Sequence, residues 1–391
     1  MTSRPSSVGS RFVPRTLSQI PGVHAVRRSF VLGVVLCALA IGCTPTSSTA
    51  HGATPTTFDE IDEMMRHRVE SEGLDGAGIL VVADGTTYRN ATYGRYANET
   101  IIPIASASKW LTAATLMTLV DEGVVSLDDP VAMYLPKFTG TTGQATLRQL
   151  LSHTSGIGSV NCIWDARKSL EECVDFIATR NAISPPGTKF SYGNTSFSVI
   201  GRVIEVVTGQ SFEKAFEARI AMPLGMVHTR FDGYSYDTES NPVPAASAES
   251  TLDDYGAFVE MLHNLGTYNG IRVLSAQSVL TMEQNAVSGI DTYSDAAVHT
   301  TGIPSYGLGA WRDITTTADI GVVTSGNGAY GLYPWVDRSR NGFGIIFVFD
   351  QRGSELAVPE SQREMHAVLG VLDALGVDRD SSPTTVYRRR A

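Results

Sequence analysis

Cysteine is scarce, with 4 in 391 residues, too few for a disulfide-built scaffold, and no paired Cys-x-x-Cys or His-Glu-x-x-His is present to hold a metal. No glycine-rich phosphate loop appears either, so nucleotide and metal cofactors are without support and none is expected. Basic charge is also short. Lys and Arg number 30 against 40 Asp and Glu, a formal net charge of -10, which speaks against nucleic acid as a partner. Acidic residues are missing from the first 58 positions, and no apolar run is long enough to span a bilayer. There is no internal repeat and no Gly-x-Ser-x-Gly elbow. What remains is a chain of ordinary globular composition, 42% apolar and 18% charged, long enough for one large domain or two small ones.

The acid-free leader carries Arg4, Arg11, Arg15, Arg27 and Arg28, then an apolar stretch from Phe30 to Ile41. That stretch fits the h-region of an export signal. Arg27-Arg28 before Ser29-Phe30-Val31-Leu32 resembles a twin-arginine signal, and Leu39-Ala40-Ile41-Gly42-Cys43 resembles a lipoprotein cleavage site with Cys43 as the lipidated residue. Two readings stand: a lipid anchor at Cys43, or a plain signal with an incidental cysteine. Residues 1–43 are thus read as an export signal, 44–56 as a Ser/Thr/Pro-rich tether, 57–376 as the folded domain and 377–391 as a solvated tail. The destination expected is the cell envelope or the exterior, with the membrane touched only through the lipid. Without the leader, 25 basic residues face 40 acidic ones, a charge of about −15. Export leaves Cys162 and Cys173 as an even pair across a short loop, which in an oxidising compartment reads as a disulfide.

The domain opens with Phe58, Ile61, Met65 and Val69 at helical spacing, closed by Gly73. Ile79–Val82 and Thr87–Tyr93 read as strands joined by the hairpin signal Asp84-Gly85. From Asp128 to about Ser305 the pattern is mainly helical, including Phe197, Ile200, Ile204 and Val207 ahead of Gly209, then Asp253–Leu265 and Ser275–Glu283. Strand character returns at 320–324, 330–336 and 343–349, and Glu360–Leu375 closes as a helix. Strands from both ends with helices between predict an α/β (α+β) domain. Its antiparallel sheet is built from both termini, flanked by helices, and carries an inserted, mainly helical region.

One stretch stands apart. Ser106 and Lys109 sit at i and i+3, on one face of a helix start, and Trp110 to Val120 is free of charge. A helix apolar all round is a buried helix. A lysine there meets both the wrong end of the helix dipole and an apolar surround, which together push an amine towards its neutral, basic form. A hydroxyl beside such an amine is a candidate nucleophile with its base. Alone, the pair reads more readily as a capping serine beside a surface lysine.

Two later segments change the balance: Tyr192-Gly193-Asn194, and Ser325-Gly326-Asn327-Gly328-Ala329 beside a strand. In this order they resemble the serine β-lactamase and penicillin-binding-protein superfamily, in its class C β-lactamase, D-amino-acid carboxypeptidase and esterase branch. Leu150–Gly156, Tyr306-Gly307-Leu308-Gly309 and Trp335-Val336-Asp337 add to the likeness, which covers roughly residues 58–375. The resemblance implies a β-lactamase/transpeptidase-like fold and an acyl-enzyme on Ser106, with Lys109 as base and Tyr192, as a phenolate beside an ammonium, as the second proton carrier. It makes Asn194 a partner of Lys109 and of the substrate, Asn327 and Gly328 parts of the substrate-binding edge, and the N–H groups of Ser106 and Ala329 the oxyanion hole. Taken singly, Tyr192 reads as a core aromatic and Asn194 as a helix cap. His153 is expected to pack in a turn.

The chain departs from the family at Gly326, where members acting on β-lactams or D-Ala-D-Ala peptides carry Lys or His to meet a substrate carboxylate. Arg312, on a neighbouring strand, is the cation within reach. The leading expectation is therefore an exported serine hydrolase of small esters or amides. The alternatives are a β-lactamase or D-Ala-D-Ala carboxypeptidase acting on lactams or peptidoglycan peptides, and a non-catalytic envelope binding protein that retains the fold.

Overall fold

A computed structural model describes residues 54–231, 241–292, 305–315 and 321–377. The leader with Cys43, and the tail beyond Val377, lie outside the described residues. Helix α1 (Phe58–Glu72) starts at a capping box between Thr57 and Glu60 and ends at Gly73, whose φ of 64° is left-handed. Strands β1 (Gly76–Ala83) and β2 (Thr86–Gly94) follow. Their hairpin turns at Asp84 (φ 48°) and Gly85 (φ 72°), the paired positive angles that such a two-residue turn requires. Helices α2 (Ser108–Asp121), α3 (Thr195–Thr208) and α4 (Leu252–His263) come next. Strands β3 (Trp311–Thr315), β4 (Gly321–Ser325), β5 (Tyr333–Asp337) and β6 (Gly342–Val348) precede the closing helix α5 (Ser354–Ala374).

The six strands form one sheet in the order β2-β1-β6-β5-β4-β3, with every neighbouring pair antiparallel. The first and last parts of the domain therefore meet at the β1–β6 seam, as the distribution of strand signals predicts. Side chains alternate across it. Ile79, Val81, Ile346 and Val348 enter one core with Met65 of α1 and Met365 and Val368 of α5. Phe343, Ile345 and Phe347 enter the other, with Tyr255 and Phe258 of α4 and with α2. The second core is the larger and extends through the helical region. In α2 every residue from Ser108 to Leu119 is buried, as its charge-free sequence predicts. Among the described residues no helix is long and apolar enough to cross a membrane.

Three boundaries differ from the sequence reading. α5 begins at Ser354, six residues before the predicted start at Glu360, and accommodates Pro359 within its first turns. β5 begins at Tyr333 because Gly328 to Gly331 closes a turn, Gly331 N–H donating to the Gly328 carbonyl at 2.9 Å. The edge strand β3 contains Arg312, as expected, although no bounds were predicted for it; its Trp-Arg-Asp-Ile-Thr sequence carries little alternation.

Candidate active site

Ser106 lies in a 3-10 turn, Ala105–Ala107, that feeds α2. Ala105 holds a φ of 46°, a left-handed angle that a non-glycine residue rarely adopts. The turn is fastened from one side: Ile104 N–H donates to Ala248 O at 2.9 Å, Ala248 N–H to Ser108 Oγ at 3.1 Å, and Tyr255 Oη–H to Ala107 O at 3.0 Å. The Ser106 side chain is left half-buried, within reach of a ligand.

One turn along, Lys109 is 1% exposed. Its Nζ lies 3.1 Å from Ser106 Oγ, 2.8 Å from Asn194 Oδ1 and 3.1 Å from Ala245 O. Two of the three neighbours are pure acceptors; only the serine hydroxyl can turn round and donate. A neutral amine keeps its two N–H bonds on Asn194 and Ala245 and presents its lone pair to the Ser106 proton. Burial lowers the amine from 10.5 to about 7, so both protonation states are populated near neutrality. Asn194 makes no capping hydrogen bond to α3, though it occupies the N-cap position. Its side-chain oxygen serves Lys109 instead.

Tyr192 lies beside the pair, with Lys109 Nζ 4.9 Å from its ring centre. Burial pushes the phenol up to about 12, while hydrogen bonds with Ser106 and Trp311 act in the opposite direction. The hydroxyl is therefore neutral at pH 7. This corrects the expected phenolate, and the reason is physical: desolvation outweighs the two hydrogen bonds. Trp311 stacks against Tyr192 at 5.0 Å between ring centres, and Tyr306 packs on both. These aromatic walls were not singled out individually by sequence, although Tyr306-Gly307-Leu308-Gly309 marked the segment. His153 fills the space behind Tyr192, 4.5 Å between rings, with its φ at 59° and neither ring nitrogen partnered among the described residues. Burial, with Lys109 nearby, holds it well below its ordinary value, so it is a neutral packing group, as expected.

The third segment runs from β4 past the serine. A side-chain carbon at Gly328 would stand 2.3 Å from Ile104 O, so glycine permits the backbone to pass against the turn that carries Ser106. Ala329 follows directly. The Asn327 side chain hydrogen-bonds the Tyr333 hydroxyl. A side chain at Gly326 would begin 2.5 Å from Trp110 Cε3, so the indole of α2 leaves no room for a side chain at that position. Arg312 does not replace it. It is buried, with Nε on Glu283 O at 3.0 Å and Nη1 on Ser305 Oγ at 2.9 Å, which corrects the expectation that it supplies the missing charge.

Cys162 and Cys173 form a disulfide, as expected. Asn241 Nδ2 donates to Cys162 O at 2.9 Å, which ties that loop to the segment carrying Ala245. For metals, Glu72, Asp350 and Glu360 gather their oxygens in one place, but Arg352 Nη2 lies 2.5, 2.6 and 2.9 Å from them. They form an ion-paired network, remote in kind from a cation site.

The family described as Beta-lactamase matches residues 61–369. Penicillin-binding protein 4 of Amycolatopsis lactamdurans is 30% identical over 281 residues, covering 60% of this chain and 74% of that protein. A structure from Bacteroides dorei DSM 17855, described as a candidate β-lactamase, superimposes with a TM-score of 0.73 at 29% identity, covering 82% of this chain and all of the other. EstCE1, described as a hydrolase with promiscuous acyltransferase activity, shares the fold alone, with a TM-score of 0.66 at 19% identity over 80% of this chain and 98% of its own.

Proposed function

Because the chain belongs to the β-lactamase family, whose members and structural neighbours include serine hydrolases, we propose that it hydrolyses a small neutral ester or amide through an acyl-enzyme on Ser106. The observation that carries the reading is the Lys109 amine, lowered to about 7 and 3.1 Å from Ser106 Oγ. Lys109 takes the serine proton as the oxygen attacks the acyl carbon. The carbonyl oxygen, now negative, is received by the N–H groups of Ser106 and Ala329. The protonated Lys109 and the Tyr192 hydroxyl return the proton to the leaving group. Water then repeats the sequence in reverse, with its proton accepted by the same pair, and Ser106 is freed. Trp110 against Gly326 leaves no room at that position for a cationic side chain to meet a substrate carboxylate, which favours uncharged acyl donors.

Identity with a penicillin-binding protein favours a second reading, acylation by penicillin. Intact-protein mass spectrometry separates the two. A fluorophosphonate adduct lost in Ser106→Ala, with turnover of a short aryl ester and no penicilloyl adduct, supports the ester reading. A penicilloyl adduct that clears slowly selects the penicillin-binding reading, and rapid lactam turnover a β-lactamase. No adduct with either reagent refutes the nucleophile. The same proposal places the enzyme outside the cytoplasm, in keeping with the Cys162–Cys173 disulfide. Labelled palmitate retained by Cys43→Ala excludes a lipid at that residue.

A further inference from the structure

The geometry points to Ser361, held by Arg68 and Glu364, as a positioning residue for the oxyanion turn on the far side of the sheet from the nucleophile. This rests on the proposed acyl-enzyme chemistry. The turn Gly328–Gly331 carries Ala329, and three contacts behind it fix its orientation. Ser361 Oγ–H donates to Gly331 O at 2.7 Å, Asp350 N–H donates to Tyr330 O at 2.8 Å, and Gly328 N–H donates to Leu332 O at 2.8 Å. Ser361 is itself oriented by a charge. Arg68 Nη1 donates to Ser361 Oγ at 3.0 Å and to Glu364 at 2.5 Å. With its lone pair taken by a guanidinium, the Ser361 hydroxyl has its proton directed at the Gly331 carbonyl.

Packing leaves the turn little freedom to find another arrangement. Gly331 has a φ of 95°, and a side-chain carbon there would lie 3.3 Å from Ser361 Oγ and 3.4 Å from Arg68 Nη2. Arg68 is 4% exposed, Glu364 4% and Ser361 fully buried. The groups facing Arg68 are Glu72 on its own helix, Glu360 and Glu364 from α5, and Asp350 from the loop before it, with Arg352 bridging Glu72, Asp350 and Glu360. The network therefore joins α1, α5 and that loop into one rigid backing. A backbone donor aimed at a developing oxyanion acts only while it is aimed, so the backing transmits directly to turnover.

The test is Ser361→Ala in the full chain, with the milder Glu364→Gln as a second variant that keeps a hydrogen-bonding group of the same shape. Two readouts are taken: amide hydrogen exchange of the peptide spanning residues 328–331, and steady-state turnover of a short aryl ester. Ser361→Ala is expected to speed exchange at the turn by roughly 10-fold and to lower kcat by roughly 10-fold with KM within about twofold, less than the 10²–10³ lost when an oxyanion donor is deleted. Glu364→Gln shifts both in the same direction by a smaller factor. Unchanged exchange at the turn in both variants overturns the clamp. Faster exchange with unchanged kcat overturns its catalytic meaning, as does a kcat loss that only follows the fraction unfolded. Wild-type protein that takes no phosphonate on Ser106 refutes the acyl-enzyme reading instead, and exchange at the turn, which needs no chemistry, tells the two failures apart.

Discussion

The lowered Lys109 amine sets a pH dependence that can be worked out in advance. With the amine at about 7, the neutral fraction is roughly one tenth at pH 6, one half at pH 7 and nine tenths at pH 8. Acylation of Ser106, followed as fluorophosphonate labelling or as the burst from an aryl ester, should rise about tenfold per unit below pH 7 and level off above pH 8. Stability follows the same titration. Between the folded value near 7 and the ordinary 10.5, the unfolded chain binds one more proton than the folded one. Stability therefore rises with pH through that window, and below pH 7 the cost of burying the amine is complete. The cost is on the order of 4 kcal/mol at pH 7. Lys109→Met removes it but leaves Asn194 Oδ1 and Ala245 O without their donor, at about 1–2 kcal/mol each. The net expectation is a variant more stable by about 0–2 kcal/mol at pH 7, with a melting point equal to wild type or a few degrees higher, whose acylation is slower by about 10²–10⁴. An inflection above pH 9, or a Lys109→Met protein that melts well below wild type at pH 7, would refute the reasoning.

Three further changes probe the surroundings. Gly328→Ala places a carbon 2.3 Å from Ile104 O, forcing the oxyanion turn off the serine; kcat should fall by about 10² with KM nearly unchanged, and a kcat within threefold of wild type counts against the placement of Ala329. Gly326→Lys meets Trp110 at 2.5 Å and should cost about 1–3 kcal/mol in a denaturant titration without conferring penicillin turnover; gain of that turnover would show that the indole does not block the position. Reducing the Cys162–Cys173 bond, whose partners are 11 residues apart, should cost about 2–3 kcal/mol, and an unchanged urea midpoint after confirmed reduction would deny it a stabilising role.

Local chemistry makes part of this site readable in the sequence. α2 was legible because a charge-free helix has no surface to occupy, and Ser106 with Lys109 because three residues of helix put them on one face. The hairpin at Asp84-Gly85 and the stop at Gly209 followed from the left-handed angles that glycine accepts. The state of Tyr192 was not legible, because it depends on how completely His153, Tyr306 and Trp311 exclude water, and those residues come from two other parts of the chain. Asn194 was ambiguous for a sharper reason. The same side-chain oxygen can cap α3 or accept from Lys109, and only the fold decides which donor it faces. Pro359 concealed the start of α5 because a proline signals a boundary locally, while packing against α1 and the sheet carries the helix past it. Arg312 was misread because a strand residue's partners depend on what packs above it, here Glu283 and Ser305.

Several departures from ordinary preference meet around one oxygen. Ala105 is left-handed immediately before Ser106, Lys109 is a buried amine one turn after it, and His153 is left-handed behind Tyr192 with its nitrogens unpartnered. Several buried charges elsewhere are matched by an opposite charge: Arg338 by Glu283, Arg340 by Asp337 and Asp373, Arg68 by Glu364. Strain of this kind persists only where the surrounding structure over-determines it, and here the fastening groups are Ala248, Tyr255, Ala245 and Asn194. The consequence bears on substrate choice. With Lys109 neutral for half of its time at pH 7 and Gly326 closed by Trp110, the cleft offers a carboxylate little to offset the loss of its water. An uncharged acyl group loses no such hydration, so the proposed ester or amide reading predicts slower acylation by anionic donors than by neutral ones of the same size, checked by comparing kcat/KM for the pair.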